Sequence, residues 1–330
     1  MAINKTTLSL GLAALLALAG PVAAQVPAEA PPLAITPAAL SSAASLAPML
    51  AAARAGKRIV AVGDYGIVLL SDDDGKSFRQ AGGVPVASTL TGISFVDDKN
   101  GWAVGHSGVI IHTADGGEKW TLQRSDSAVD RPLFSVYFFD AKDGVAVGLW
   151  SLILVTDDGG KTWTSVTPPS PPEGGKADRN LFRLFASPQG SLFVAAERGV
   201  VLRSDDRGRN WRYLNTGYKG SFWSGLALSD GTLIVAGLRG TVYRSTDDGR
   251  SWANVPIGSK SSLTDLVEVG GKVIGVGLDG VQIESADRGA NFTWTQRDDR
   301  LPMTALVRAG QDGLVRFSKR GVVLSAKNGN

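Results

Sequence analysis

Pairs of short apolar runs, each pair hinged on a glycine-bounded turn, recur along the chain. The first reads Ala61-Val62-Gly63-Asp64-Tyr65-Gly66-Ile67-Val68-Leu69-Leu70. Ala103-Val104-Gly105-His106-Ser107-Gly108-Val109-Ile110-Ile111 and Val235-Ala236-Gly237-Leu238-Arg239-Gly240-Thr241-Val242-Tyr243 repeat it. Apolar runs this short, broken by Gly-x-x-Gly, predict β-hairpins. Another β-rich run precedes each pair, such as Gly92-Ile93-Ser94-Phe95-Val96 or Ser135-Val136-Tyr137-Phe138-Phe139. A polar octet follows each pair, then a short run led by an aromatic residue, such as Trp163-Thr164-Ser165-Val166. The unit is thus four short strands.

The octets fix the period. Six of them, beginning at Ser71, Thr113, Thr156, Ser204, Ser245 and Ser285, fit Ser/Thr-x-Asp-x-Gly-x-x-Trp/Phe. A degenerate seventh starts at Ser325 and runs into Asn330. Successive octet glycines lie 42, 43, 48, 41, 40 and 40 residues apart. Four strands in about 42 residues is one propeller blade. The sequence therefore predicts an all-β fold: a seven-bladed β-propeller of four-stranded antiparallel blades over residues 46–330. The last blade lacks an outer strand after its octet. The lead-in, through Leu33-Ala34-Ile35-Thr36, is expected to supply it and close the ring, since prolines are tolerated in an edge strand.

The N-terminus reads differently. Lys5, an apolar run from Leu8 to Leu18 and small residues up to Ala24 form a signal-peptide pattern, cleaved after Ala24. The run is too short to span a bilayer. Residues 1–24 are expected to be removed, 25–45 to be an Ala/Pro-rich lead-in, and the mature chain to be periplasmic or secreted. Without Lys5 the 34 basic residues become 33 against 31 acidic ones, a net charge of +2. Nucleic acid is not an expected partner at that charge in an exported protein. With no cysteine and two histidines, His106 and His112, thiol catalysis, Fe–S clusters and multi-histidine metal sites are excluded. No cofactor is expected.

The octet carboxylates Asp73, Asp115, Asp158, Asp206, Asp247 and Asp287 are assigned a structural role, each accepting backbone N–H bonds in a tight turn. Asp72-Asp73-Asp74-Gly75 superficially resembles a calcium loop, but no copy has both the sixth-position glycine and the twelfth-position acid of that motif.

In an up-and-down blade the 1–2 and 3–4 turns share one face, and the 2–3 turns and 4–1 connections share the other. The octets are 3–4 turns. The Gly-x-x-Gly hairpins are 2–3 turns, so their variable central pairs form a separate rim on a rigid scaffold. Candidate binding residues there are Asp64, Tyr65, His106, Trp150, Glu197, Arg198, Arg239, Asp279, Lys319 and Arg320, with Arg183 at the channel mouth beside Trp223 and Asp265. The long 4–1 connections, above all 167–180, share this face. Arg198, Arg203, Arg207, Arg209 and Arg212, continued by Arg239, Arg244 and Arg250, read as a basic flank on blades four and five. Such a flank suits an acidic protein surface or anionic lipid head groups.

The octets resemble the Asp-box (BNR) repeats of bacterial neuraminidases. Joined to the Ala-Val-Gly-x-x-Gly hairpin, they resemble more specifically the photosystem II stability/assembly factor family, over nearly the whole mature chain. The resemblance implies a propeller that binds membrane-protein subunits during assembly, without catalysis. Relatives in non-photosynthetic bacteria often accompany export pumps of the resistance-nodulation-division type, so the expected partner is a membrane-protein subunit or envelope transporter. The protein itself is expected to be monomeric and at most peripheral to the membrane. The alternative is a sialidase-like glycoside hydrolase or a glycan-binding propeller. Hydrolysis would need an arginine triad and a tyrosine–glutamate pair, but the Arg-Ile-Pro signature is absent and Glu197 has no tyrosine beside it in sequence.

Overall fold

A computed structural model describes residues 35–323. The signal-peptide reading, residues 25–34 and the seventh octet lie outside the described residues. Six sheets have four antiparallel strands in sequential order, and a seventh has three. Blade 1 is typical, with strands Met49–Ala55, Arg58–Gly63, Val68–Ser71 and Arg79–Gln80. The innermost strands are Met49–Ala55, Leu90–Phe95, Leu133–Phe138, Leu181–Ala186, Phe222–Ala227, Leu263–Val269 and Met303–Ala309. Each packs on the next, and the last packs on the first, so the blades form a closed ring.

The second strand of blades 1 to 6 is buried almost throughout, as in Gly144–Gly148 or Leu233–Gly237. Both of its faces meet neighbouring sheets, which is why these runs are continuously apolar rather than alternating. The outer strands are short and exposed. Between blades the octet glycine sits tight on the preceding sheet: a Cβ on Gly75 would lie 2.1 Å from Val315 Cγ2. The octet aromatic fills the same seam, with Phe78 edge-on to Phe317 at 5.8 Å.

The segment expected to close the ring lies partly outside the described residues, as does the end of blade 7. Ile35 and Thr36 form no strand, and Leu33 and Ala34 lie outside the described residues. Ile35 packs against the core of blades 1 and 2. The lead-in continues along the outer strand of blade 1, where Ala38 N–H donates to Val84 O (3.0 Å) and Gln80 Nε2 to Ala39 O (2.9 Å). The contact with blade 7 comes from the 3-10 turn Ala44–Leu46, whose Ser45 carbonyl lies against Gly321. Thr304 Oγ1 donates to Met49 O, and Arg54 Nη1 to Arg308 O at 3.0 Å. A shared core of Met49, Ile59, Leu69, Val307 and Phe317 joins blade 7 to blade 1. Packing of sheet on sheet therefore holds the ring shut among the described residues.

Candidate functional site

The Asp-box turns are internally saturated. Ser71 Oγ donates to Asp73 Oδ1 (2.8 Å) and accepts from Gly75 N–H (2.8 Å). Asp73 then takes the Ser77 N–H (2.9 Å) and hydroxyl (2.6 Å). Asp158, Asp247 and Asp287 repeat the set, with Thr162, Ser251 or Asn291 in place of Ser77. Asp206 does so with Asn210, while Asp115 takes the Thr113 hydroxyl and the Lys119 N–H. Hydrogen bonds to the ionised form hold Asp73, Asp158, Asp247 and Asp287 at a pKa of about 2. Trp120, Trp211 and Trp252 return their indole N–H to the carbonyl of the octet glycine. These carboxylates brace turns. Among the described residues no three acidic or histidine side chains converge as metal ligands.

The 2–3 turns lie at the opposite end of each blade. Their first glycine is extended and serves close approach: a Cβ on Gly63 would sit 2.0 Å from Pro48 O. The next N–H then pins the turn to the start of the inner strand, Asp64 to Pro48 O (3.0 Å) and His106 to Thr89 O (2.9 Å). The third residue is left-handed: Tyr65, Ser107, Trp150, Arg198, Arg239 and Asp279 have φ between 53° and 59°. None is glycine, and this conformation costs roughly 1–2 kcal/mol per L-residue. It turns the side chain away from the sheet. Tyr65 is 70% and Trp150 57% exposed, and Arg198, Arg239 and Asp279 are also exposed.

The remaining rim candidates divide in two. His106, Lys319 and Arg320 are exposed. Asp64 and Glu197 are half-buried and turned onto their own scaffold. Asp64 accepts from Thr89 Oγ1 (3.1 Å), and Glu197 from the Asn180 main-chain and side-chain N–H groups (3.0 and 2.8 Å). Arg198, Arg239, Lys319 and Arg320 form no ion pair among the described residues. The rim thus presents cations, aromatic tips and Asp279 outward, while Asp64 and Glu197 face in.

Arg183 leaves this outward set. Its guanidinium bonds Asp265 (3.2 Å) at the channel mouth, where Asp265 is 4% exposed. The mouth has a ring of residues of which the sequence singles out only Trp223. Every inner strand carries a β-bulge after its first residue, and the extra residues are Leu50, Thr91, Phe134, Phe182, Trp223, Thr264 and Thr304. Thr91 Oγ1 bonds Leu133 O (2.6 Å) and Thr264 Oγ1 bonds Met303 O (2.9 Å), each in the next blade. Phe134 and Phe182 stack at 5.7 Å. Their sequence signal was faint: one residue after the first apolar position of each inner strand, with no fixed type.

Beside the rim, the 167–180 and 215–222 connections enclose a cleft of about 690 Å³. Pro172, Tyr213 and Tyr218 wall it, and Arg198 and Lys219 stand at its edge. Tyr218 is no loose loop residue, since it packs on Phe222 and Tyr243 at 5.1 and 5.6 Å.

The expected basic flank does not form one free patch. Arg198 is on the rim, whereas Arg203, Arg207, Arg209 and Arg212 project among the Asp-box turns. There Arg203 pairs with Asp205 (2.7 Å) and Asp248, Arg207 with Asp140 (2.8 Å) and Asp143, Arg209 with Asp143 (3.3 Å), and Arg212 with Asp205 (3.4 Å). Neighbouring blades supply most of these acids, so the local excess of arginine is neutralised in space.

Solved structures share the architecture. YCF48 bound to a D1 peptide aligns over 88% of this chain and 98% of its own, at 19% identity and a TM-score of 0.68. YCF48 from Cyanidioschyzon merolae aligns over 84% and 94%, at 15% identity and a TM-score of 0.67. At those identities the likeness shows the fold. No curated protein matches the sequence. The family model of the photosynthesis system II assembly factor YCF48 matches residues 80–222 and, in an overlapping register, 128–280. Together these matches span more than half of the chain, and they follow the same repeat that builds the blades and their rim. By that measure the chain belongs to the YCF48 assembly-factor family, and it is a non-catalytic assembly or accessory propeller rather than a hydrolase.

Proposed function

We propose that this chain is a periplasmic accessory factor that holds a subunit of a membrane-protein complex, such as an export transporter, against its 2–3 rim. One observation carries the reading: the exposed tips Tyr65, Trp150, Arg198 and Arg239 are held in a costly left-handed conformation, and Arg198, Arg239 and the exposed Arg320 form no ion pair among the described residues. Arginine and aromatic side chains on rigid turns are the residue types that anchor protein interfaces. A YCF48 structure bound to a D1 peptide supports a propeller of this family acting as a peptide or subunit holder. The signal-peptide pattern supports export, and an exported rim would meet the loops that such a subunit exposes on that side of the membrane.

The test is co-purification from detergent-solubilised envelope, comparing the wild type with the triple variant Arg198→Glu, Arg239→Glu and Arg320→Glu. The wild type is expected to retain a membrane-protein partner that the variant loses. A variant that keeps every partner would overturn the rim assignment.

A further inference from the structure

We propose that the 2–3 rim is also a bilayer-docking face, which rests flat on anionic phospholipid head groups. Of the exposed large hydrophobic residues, Tyr65, Trp150 and Leu278 are 2–3 turn residues, and Val129 lies in a 4–1 connection on the same face. None belongs to an Asp-box turn, where the aromatic residues point into the seams between blades. The exposed tips belong to blades 1, 3 and 6, which are not neighbours. A peptide in the channel or in the blade 4 cleft reaches one of them at a time. An extended flat surface meets them together.

Charge sorts the same way. The exposed rim cations Arg198, Arg239, Lys219, Lys260, Lys319 and Arg320 form no ion pair within 4 Å among the described residues, although Arg198 acts on Glu173 and Arg320 on Asp299 from farther off. Most acids of that face are occupied by nearby donors, while Asp298 is exposed without one among the described residues. Asp64 takes Thr89 Oγ1 (3.1 Å), Asp130 the Ser107 N–H (3.2 Å), Asp279 Ser261 Oγ (3.2 Å), and Glu197 the Asn180 N–H groups. Glu173 and Asp178 are paired with Arg179, and Asp299 with Arg297. The face therefore offers cations outward for phosphate, between Trp and Tyr side chains of the kind that settle at head-group depth. On the Asp-box face Arg203, Arg207, Arg209 and Arg288 are paired with carboxylates, Arg250 is not, and no octet aromatic is exposed among the described residues.

Vesicles of phosphatidylcholine with or without phosphatidylglycerol test this on the purified full chain. Sedimentation is expected with the anionic vesicles only and is expected to weaken as salt rises. Bromine-labelled lipid should quench tryptophan fluorescence, and Trp150→Phe should abolish most of that quench while binding persists. Asn is tolerated at positive φ, so Arg198→Asn, Arg239→Asn and Arg320→Asn together should weaken partitioning about a hundredfold, at about fivefold per charge, with the fold intact. Arg250→Asn, on the Asp-box face, should change nothing. Absence of sedimentation with anionic vesicles at low salt, or equal binding by the triple variant, would overturn the docking face. Vesicles carry no protein, so failure here leaves the subunit-holding reading standing. A rim variant that loses a protein partner while the wild type ignores vesicles assigns the face to protein alone.

Discussion

Arg183 of blade 4 reaches Asp265 of blade 6, Nη2 to Oδ1 at 3.2 Å, although blade 5 lies between them in the ring. The same carboxylate accepts the Leu266 N–H (3.0 Å) and, through Oδ2, the Leu306 N–H of blade 7 (2.8 Å). One buried acid thus ties three blades at the channel mouth.

Asp265→Ala would strand the Leu306 N–H and leave Arg183 uncompensated. Stranding a buried backbone donor costs about 1–3 kcal/mol. Chemical denaturation should show a loss of that size. Arg183→Met should cost much less, because Arg183 is partly solvated and Asp265 keeps two backbone donors. Equal losses for the two variants would mean the carboxylate does not join the blades.

Ser151 stands where the other 2–3 turns of blades 1 to 6 have glycine, and it too is left-handed, at φ 54°. Its N–H donates to Arg179 O (2.7 Å), and its hydroxyl exchanges bonds with the Arg179 backbone (3.1 and 3.2 Å). The hydroxyl clamps the 167–180 connection and offsets the strain. Ser151→Val should destabilise by about 1–3 kcal/mol and speed hydrogen exchange across the connection. Ser151→Gly should fall within about 1 kcal/mol of wild type, relieved strain balancing the lost bonds. Unchanged exchange in the valine variant would refute the clamp.

The Asp-box turns set the acid limit of the fold. Asp73, Asp158, Asp247 and Asp287 titrate at about 2 in the native state, below the unfolded value of about 3.9. A depressed native pKa means the unfolded state binds protons first on acidification. Their stabilisation is therefore complete above about pH 4 and is lost as pH falls from there toward about 2. The melting temperature should drop through that window. Replacing the four aspartates by asparagine should lower it at neutral pH and flatten the acid limb. An unaltered acid limb would show that other carboxylates control it.

The turns were legible because their logic is local. Ser71, Asp73, Gly75 and Ser77 satisfy one another within a single octet, so the motif itself reports the structure. Alternation of turns then assigns Tyr65, Trp150, Arg198 and Arg239 to one face from the sequence alone. The outward pose of those tips was not legible, because it depends on a left-handed residue that the Gly-x-x-Gly pattern places but does not orient.

The sequence by itself determined the repeat, the seven blades, the two kinds of turn and the family, since each follows from contacts made inside about 42 residues. Only the tertiary structure decided which charges remain free. Arg203 and Arg207 meet Asp248, Asp140 and Asp143, 45 to 67 residues away. Arg183 meets Asp265, and the lead-in lies along blade 1. These pairings depend on which blades abut and on where a bulge turns an inner strand. A ring joins positions that no local pattern relates, so the basic stretch seen in sequence became a neutral seam, and the scattered rim residues became one basic, aromatic face.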